Sequence, residues 1–144
     1  IGADSIVVID DTILNKPASF EDAKRMLGLL SGRTHRVLTG YSIICSARGH
    51  RFTEVGETQV TFKTLAASEI QWYLQTSEPY DKAGAYAIQG IGEVMVKEIK
   101  GSYTNVVGLR LCEGIDHLLF HHVMDRRMDP VNSASLTEAK AAGR

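Results

Sequence analysis

At 144 residues the chain is long enough for one domain with its own core and too short for two. Hydrophobic residues make 44% of it and charged residues 23%, and a formal charge of −1 with five histidines leaves no broad field of either sign. That balance argues against a nucleic-acid polymer or an anionic membrane surface as partner. The two cysteines, Cys45 and Cys112, form no CxxC and no metal-type Cys/His spacing, so free thiols in a reducing cytoplasm are expected, with a single disulfide as the alternative. Apolar runs such as Ile6-Val7-Val8-Ile9 fall far short of a membrane span, and no signal-peptide pattern is present.

Ile1-Gly2-Ala3-Asp4 runs at once into a strand without an initiator methionine, and the expectation is that N-terminal sequence has been lost or left out. Ser5 to Ile9 reads as a strand buried on both faces. Asp10-Asp11 then turns the chain into Ile13-Leu14, a β-hairpin ending at Asn15-Lys16-Pro17, where the proline holds Lys16 extended. Ser19 with Asp22 opens a capping-box-like start, and Phe20, Ala23, Met26, Leu27 and Leu30 recur at helical spacing until Ser31-Gly32 closes the helix. Arg33-Thr34-His35 reads as a polar link. Val37 to Cys45 follows as a strand, with Gly40 as a bulge or a point of close approach.

Ala47 to His50 reads as a turn and Phe52 to Phe62 as the returning antiparallel strand. Ser68 with Gln71 repeats the capping spacing ahead of a short helix carrying Ile70, Tyr73 and Leu74, which Glu78-Pro79 stops. Glu93 to Ile99 is another strand, Gly101-Ser102-Tyr103 a turn, and Leu111, Ile115, Leu118 and Leu119 mark a last helix ending near Asp125. These elements predict an α/β domain over residues 1–128, with a mixed, partly antiparallel sheet flanked by helices, and a polar, alanine-rich tail over 129–144.

The stretch Asp81-Lys82-Ala83-Gly84-Ala85-Tyr86-Ala87-Ile88-Gln89-Gly90 crowds a carboxylate, an ammonium, an amide and two glycines between a helix and a strand. It reads either as an ordinary turn or as one wall of a ligand site. Asp4, at a strand start after two small residues, is a candidate for activating water or holding a hard metal, and equally a turn carboxylate. Lys16 is a phosphate-binding candidate or an exposed loop lysine. Arg33 and His35 fit an anion site or a helix C-terminus. His117 and His121, one helical turn apart, read as a solvated pair without a third ligand nearby in sequence. Gly90-Ile91-Gly92 starts a dinucleotide pattern that Met95 breaks, and neither a P-loop nor a nucleophile elbow occurs.

Taken together, Ile1-Gly2-Ala3-Asp4-Ser5, Lys16-Pro17, Leu30-Ser31-Gly32-Arg33-Thr34-His35 with Thr39-Gly40, Asp81 to Gly90, and Asn105-Val106-Val107-Gly108-Leu109 resemble the Maf-like nucleotide pyrophosphatase family, in the expected order from Ile1 to about Leu119. The resemblance implies a Maf/inosine-triphosphatase-like fold and a house-cleaning enzyme that hydrolyses a nucleoside triphosphate between the α and β phosphates. The form of the 81–90 stretch resembles the branch acting on dTTP and UTP. It implies Asp4 as proton acceptor, Ser5 and Gln89 at the base, and Lys16 and Lys82 at the phosphates; beside them Asp4 is expected as the metal-binding carboxylate and Arg33 and Asp81 as further substrate-binding residues. It further implies a magnesium or manganese ion and a homodimer. Ser5 stands where the branch usually has threonine, and the family's N-terminal Ser-x-Ser-Pro-Arg-Arg phosphate loop is absent from the 144 residues. An alternative expectation is therefore a truncated, catalytically impaired module that binds nucleotide or self-associates.

Overall fold

The structure, a computed structural model, describes residues 1–121. The chain divides into two compact units, Ile1–Gly114 and a second that begins at Ile115. The first is built on a five-stranded sheet of order β2-β1-β3-β4-β5, from β1 (Gly2–Ile9), β2 (Thr12–Leu14), β3 (Thr34–Cys45), β4 (His50–Phe62) and β5 (Val96–Lys100). Helices α1 (Phe20–Leu30), α2 (Ala67–Tyr73) and α3 (Tyr103–Val107) complete it. A further helix, α4 (Leu111–Phe120), straddles the boundary. The α/β class is as expected. Every strand pairing among the described residues is antiparallel; β2 and β3, joined through α1, run in the same direction but lie on either side of β1 and do not pair.

The alternation of β3 explains the core. His35, Val37, Thr39, Tyr41 and Ile43 are buried while the residues between them are not, the period of a strand with one covered face. Val7, Val60, Phe62 and Leu14 join that face, and Ala23, Met26, Leu27 and Leu30 of α1 close over it. Only the C-terminal half of β1 is buried, since β2 pairs with Val7, Val8 and Ile9 alone and leaves Gly2 to Ile6 without a neighbour on that side among the described residues.

Several local readings change. The Arg33-Thr34-His35 link belongs to β3 from Thr34 onward, and Gly40 is no bulge: it pairs in register with Asp4 and Val55. Helix α1 begins as expected, with Ser19 Oγ accepting the Asp22 N–H at 3.1 Å, and Gly32 takes φ 69° past its end. Helix α2 starts at Ala67 rather than at a Ser68 cap; Glu69 reaches back to accept the Ala66 N–H at 2.9 Å, the half of a capping box that needs no hydroxyl. The strand expected from Glu93 begins at Val96, after a 3-10 turn over Ile91–Met95. Helix α3 is additional, capped by Ser102 Oγ at the Asn105 N–H. The expected end of α4 near Asp125, the 128/129 boundary and the tail lie outside the described residues. Within the second unit the His117 and His121 rings stand 4.7 Å apart.

Close approach explains Gly92. A Cβ there would lie 2.6 Å from the Ala87 carbonyl oxygen and 2.9 Å from the Tyr73 hydroxyl oxygen. Gly92→Ala is expected to destabilise the protein by about 2 kcal/mol or more, because backbone rather than a mobile side-chain end must move. The midpoint and slope of urea unfolding measure this; an unchanged midpoint contradicts it.

Candidate functional site

A cleft of about 540 Å³ crosses β1 in the first unit. Ala3, Asp4, Ser5, Ile6 and Val7 form its floor, so its shape follows from where β1 keeps and loses neighbours. On the β2 flank stand Asn15 and Lys16, beside Asp81, Lys82 and Ala83. The Gly84 N–H donates to the Asn15 carbonyl at 3.2 Å, which ties the two segments together. On the β3 flank stand Val37 and the end of α3 with Val106, Val107 and Gly108. Tyr86, Ala87, Ile88 and Gln89 complete the lining. One wall thus carries charge and the other is neutral.

On the charged wall, Lys82 Nζ lies 3.0 Å from both oxygens of Asp81. The Asp81 carboxyl is held below the usual carboxylate range, first by its bond to Lys82, with Lys16 contributing through space. Both members of the pair are exposed, so it adds little stability and either partner is free to turn to a ligand. Gly84 at φ 72° and Ala85 at φ 61° follow in succession, a left-handed pair that bends the chain sharply back toward Tyr86. At Gly84 this is the conformation glycine tolerates, and Val7 packs so closely that a Cβ would meet its side chain at 3.0 Å.

Asp4 sits on β1 opposite Gly40, and its Oδ1 accepts the Ser5 N–H at 2.9 Å, leaving the second oxygen open. Strand alternation puts Asp4 and Ser5 on opposite sheet faces. Both line the cleft, at the part of β1 that β2 leaves uncovered. Ser5 pairs with Thr39, and their hydroxyl oxygens are 2.7 Å apart. Thr39 Oγ1 donates to the Asn105 carbonyl at 2.7 Å, and Asn105 Nδ2 donates to the Val37 carbonyl and to Thr58 Oγ1, each at 3.2 Å.

The loop carrying Gln89 is fastened from behind. Glu78 accepts the Tyr73 hydroxyl at 2.7 Å and the Ile91 and Gly92 N–H groups at 2.8 Å each. Burial alone would raise its pKa, but these three donors hold it below the normal value. Burial pushes the Tyr73 hydroxyl up, and its bond to Glu78 adds to that. Tyr86 lines the cleft and packs into the core: its hydroxyl meets His35 Nε2 at 2.8 Å, and its ring stands edge-on to Phe62 at 4.7 Å.

The structure therefore brings Asp4, Ser5, Lys16, Asp81, Lys82 and Gln89 to one cleft. Arg33 is not among its lining residues; its Nη2 donates to both carboxylate oxygens of Asp10, at 2.7 and 2.8 Å, at the hairpin turn beyond β1. His35, grouped with it in sequence as an anion candidate, is buried in the core. Thr39 and Asn105 stand in the motifs that carry the resemblance, and Glu78 at a helix stop, but the sequence gives none of them a place in the site. The available signal was a threonine at a core position of an alternating strand, where a hydroxyl needs a partner.

The chain matches the family model described as "Maf-like protein" over residues 1–119. It is 53% identical over 118 residues to a dTTP/UTP pyrophosphatase of Syntrophotalea carbinolica, covering 82% of this chain and 54% of that protein. A dTTP/UTP pyrophosphatase of Syntrophus aciditrophicus is 49% identical over 118 residues, 82% of this chain and 58% of that protein. One of Geobacter metallireducens is 54% identical over 118 residues, 82% of this chain and 62% of that protein. The chain thus spans between 54% and 62% of the length of these relatives. A family match over nearly all the described residues, the strands and loops of the cleft among them, means that the chain belongs to the Maf-like protein family.

Proposed function

We propose that the protein is a cytoplasmic nucleoside triphosphate pyrophosphatase that hydrolyses dTTP and UTP to the monophosphate and pyrophosphate, and that this chain supplies the Asp4–Lys16–Lys82–Gln89 part of its site. One observation carries the reading: a single cleft gathers an open carboxylate, two lysines and a side-chain amide, between a charged wall suited to phosphates and a neutral wall suited to a base. The names of the relatives support the substrate pair. Among the described residues no helix is long and apolar enough to cross a membrane.

The open oxygen of Asp4 accepts a proton from water attacking the α-phosphorus, while the bond from that phosphorus to the bridging oxygen breaks and pyrophosphate leaves. Lys16 and Lys82 offset charge on the departing oxygens; Lys82 turns from Asp81 to do so. Asp4 also fits a magnesium or manganese ion, which takes one or two carboxylates together with phosphate and water. Such an ion, when bound, would supply further charge neutralisation on the pyrophosphate. Gln89, with one donor and one acceptor on its amide, suits the edge of a pyrimidine.

The test is pyrophosphate release across a panel of nucleoside triphosphates with magnesium or manganese, by the protein expressed with the whole of its coding sequence. Turnover confined to dTTP and UTP is the expected result, and a protein inert toward every triphosphate sinks the proposal. In the same assay Lys82→Met is expected to raise KM for the triphosphates about tenfold and to change monophosphate inhibition much less. An equal effect on both ligands would remove Lys82 from the phosphate end.

A further inference from the structure

The Thr39 hydroxyl has one proton, and its neighbours fix where that proton points. Its Oγ1 lies 2.7 Å from the Asn105 carbonyl oxygen, which can only accept, so Thr39 donates there. The same Oγ1 lies 2.7 Å from Ser5 Oγ. With the Thr39 proton committed, the proton in this second bond belongs to Ser5. Ser5 therefore spends its only proton inward and meets the cleft with lone pairs alone. Thr39 and Asn105 are both fully buried, so water has no access to reverse the chain of bonds. The Asn105 carbonyl is anchored in turn, because its residue is held by Ser102, Val37 and Thr58.

We propose that Thr39 is a positioning residue that sets the polarity of the Ser5 hydroxyl, so that this part of the cleft selects a ligand edge presenting an N–H donor and rejects one presenting a lone pair. The inference rests on the nucleotide reading above and deepens it. Ring nitrogen 3 of a pyrimidine carries a proton in uracil and thymine and a lone pair in cytosine. Gln89 cannot make this distinction, since an exposed amide turns over to offer either its oxygen or its nitrogen. A hydroxyl whose proton is held inside the protein cannot turn. Selection against cytosine thus falls to Ser5, and through it to a residue that never touches the ligand. A site built to pair one proton pattern leaves groups unpaired when offered the opposite one, which is where large discrimination arises.

Three measurements on the protein with its whole coding sequence test this. By NMR on the free protein, a through-hydrogen-bond coupling between the Thr39 hydroxyl proton and the Asn105 carbonyl carbon is expected; a Thr39 proton directed at Ser5 overturns the proposal. In binding titrations UTP is expected to exceed both CTP and the triphosphate of 3-methyluridine, whose ring nitrogen 3 has no proton, by about tenfold or more. Equal binding of the three overturns the proposal while leaving the nucleotide reading intact. Binding of no pyrimidine nucleotide refutes the nucleotide reading, and this recognition with it. Thr39→Val frees the Ser5 proton and is expected to reduce the UTP-over-CTP preference about tenfold, with Thr39→Ser restoring it, whereas a purely structural role would weaken both nucleotides alike. If Thr39→Val does not fold, the two wild-type measurements decide.

Discussion

Asp4→Asn is expected to lower pyrophosphate release from UTP by a factor of about 100 to 10,000 while leaving nucleotide affinity within a few-fold, the range associated with losing a positioned general base. The substitution keeps the oxygen that accepts the Ser5 N–H, so the local turn of β1 is preserved. It replaces the open carboxylate oxygen with an amide group that cannot take a proton from water. If the same carboxylate also binds the divalent ion, the activity lost on substitution is partly recovered at higher manganese; if it serves only as base, added metal recovers nothing. Single-turnover rates and titrations with dUMP separate chemistry from binding. A variant with unchanged turnover would move the water-activating group elsewhere in the cleft.

The second large effect concerns stability rather than turnover. His35 is 1% exposed, and burial lowers its pKa from 6.5 to about 4. Between those values the unfolded chain binds a proton that the folded chain refuses, so stability rises with pH across that interval. Above 6.5 the full stability is present; as the pH falls toward 4 about 3 kcal/mol is lost from this one ring. Chemical denaturation at a series of pH values measures it. In the double variant His35→Phe, Tyr86→Phe, which removes both partners of the buried bond together, the slope between pH 4 and 6.5 should flatten. An undiminished slope would assign the acid sensitivity to other groups.

How far the sequence could be read is clear from particular residues. The hairpin at Asp10-Asp11, the Ser19 cap, the Gly32 stop and the β3–β4 pairing were legible because each rests on a local signal: a turn pair, a hydroxyl oxygen three residues before the N–H it accepts, a left-handed glycine, an alternation of two. Asp4, Ser5, Lys16, Asp81, Lys82 and Gln89 were assembled through the family resemblance, since no spacing rule relates residues 4 and 82. The bond of Arg33 to Asp10 was not legible, because Asp10 lies 23 positions away and becomes a neighbour only when β1 and β3 pair. The bonds of Thr39, Asn105 and Glu78 were not legible for a related reason. Their roles are bonds across 34, 68 and 14 positions, and a threonine, asparagine or glutamate looks the same in sequence whether it serves such a bond or a turn.

The Glu78 carboxylate beside the Gln89 loop bears on how firmly the cleft holds its shape. Residues 78–95 carry short 3-10 turns rather than long helices or strands, and a segment with so few regular backbone bonds would ordinarily sample many arrangements. Three donors converging on one anion remove most of that freedom before any ligand arrives. The Ile91 and Gly92 amides should accordingly exchange with solvent deuterium slowly for a surface loop. A nucleotide entering the cleft then meets a wall already ordered, and loses less affinity to conformational entropy than it would against a slack one.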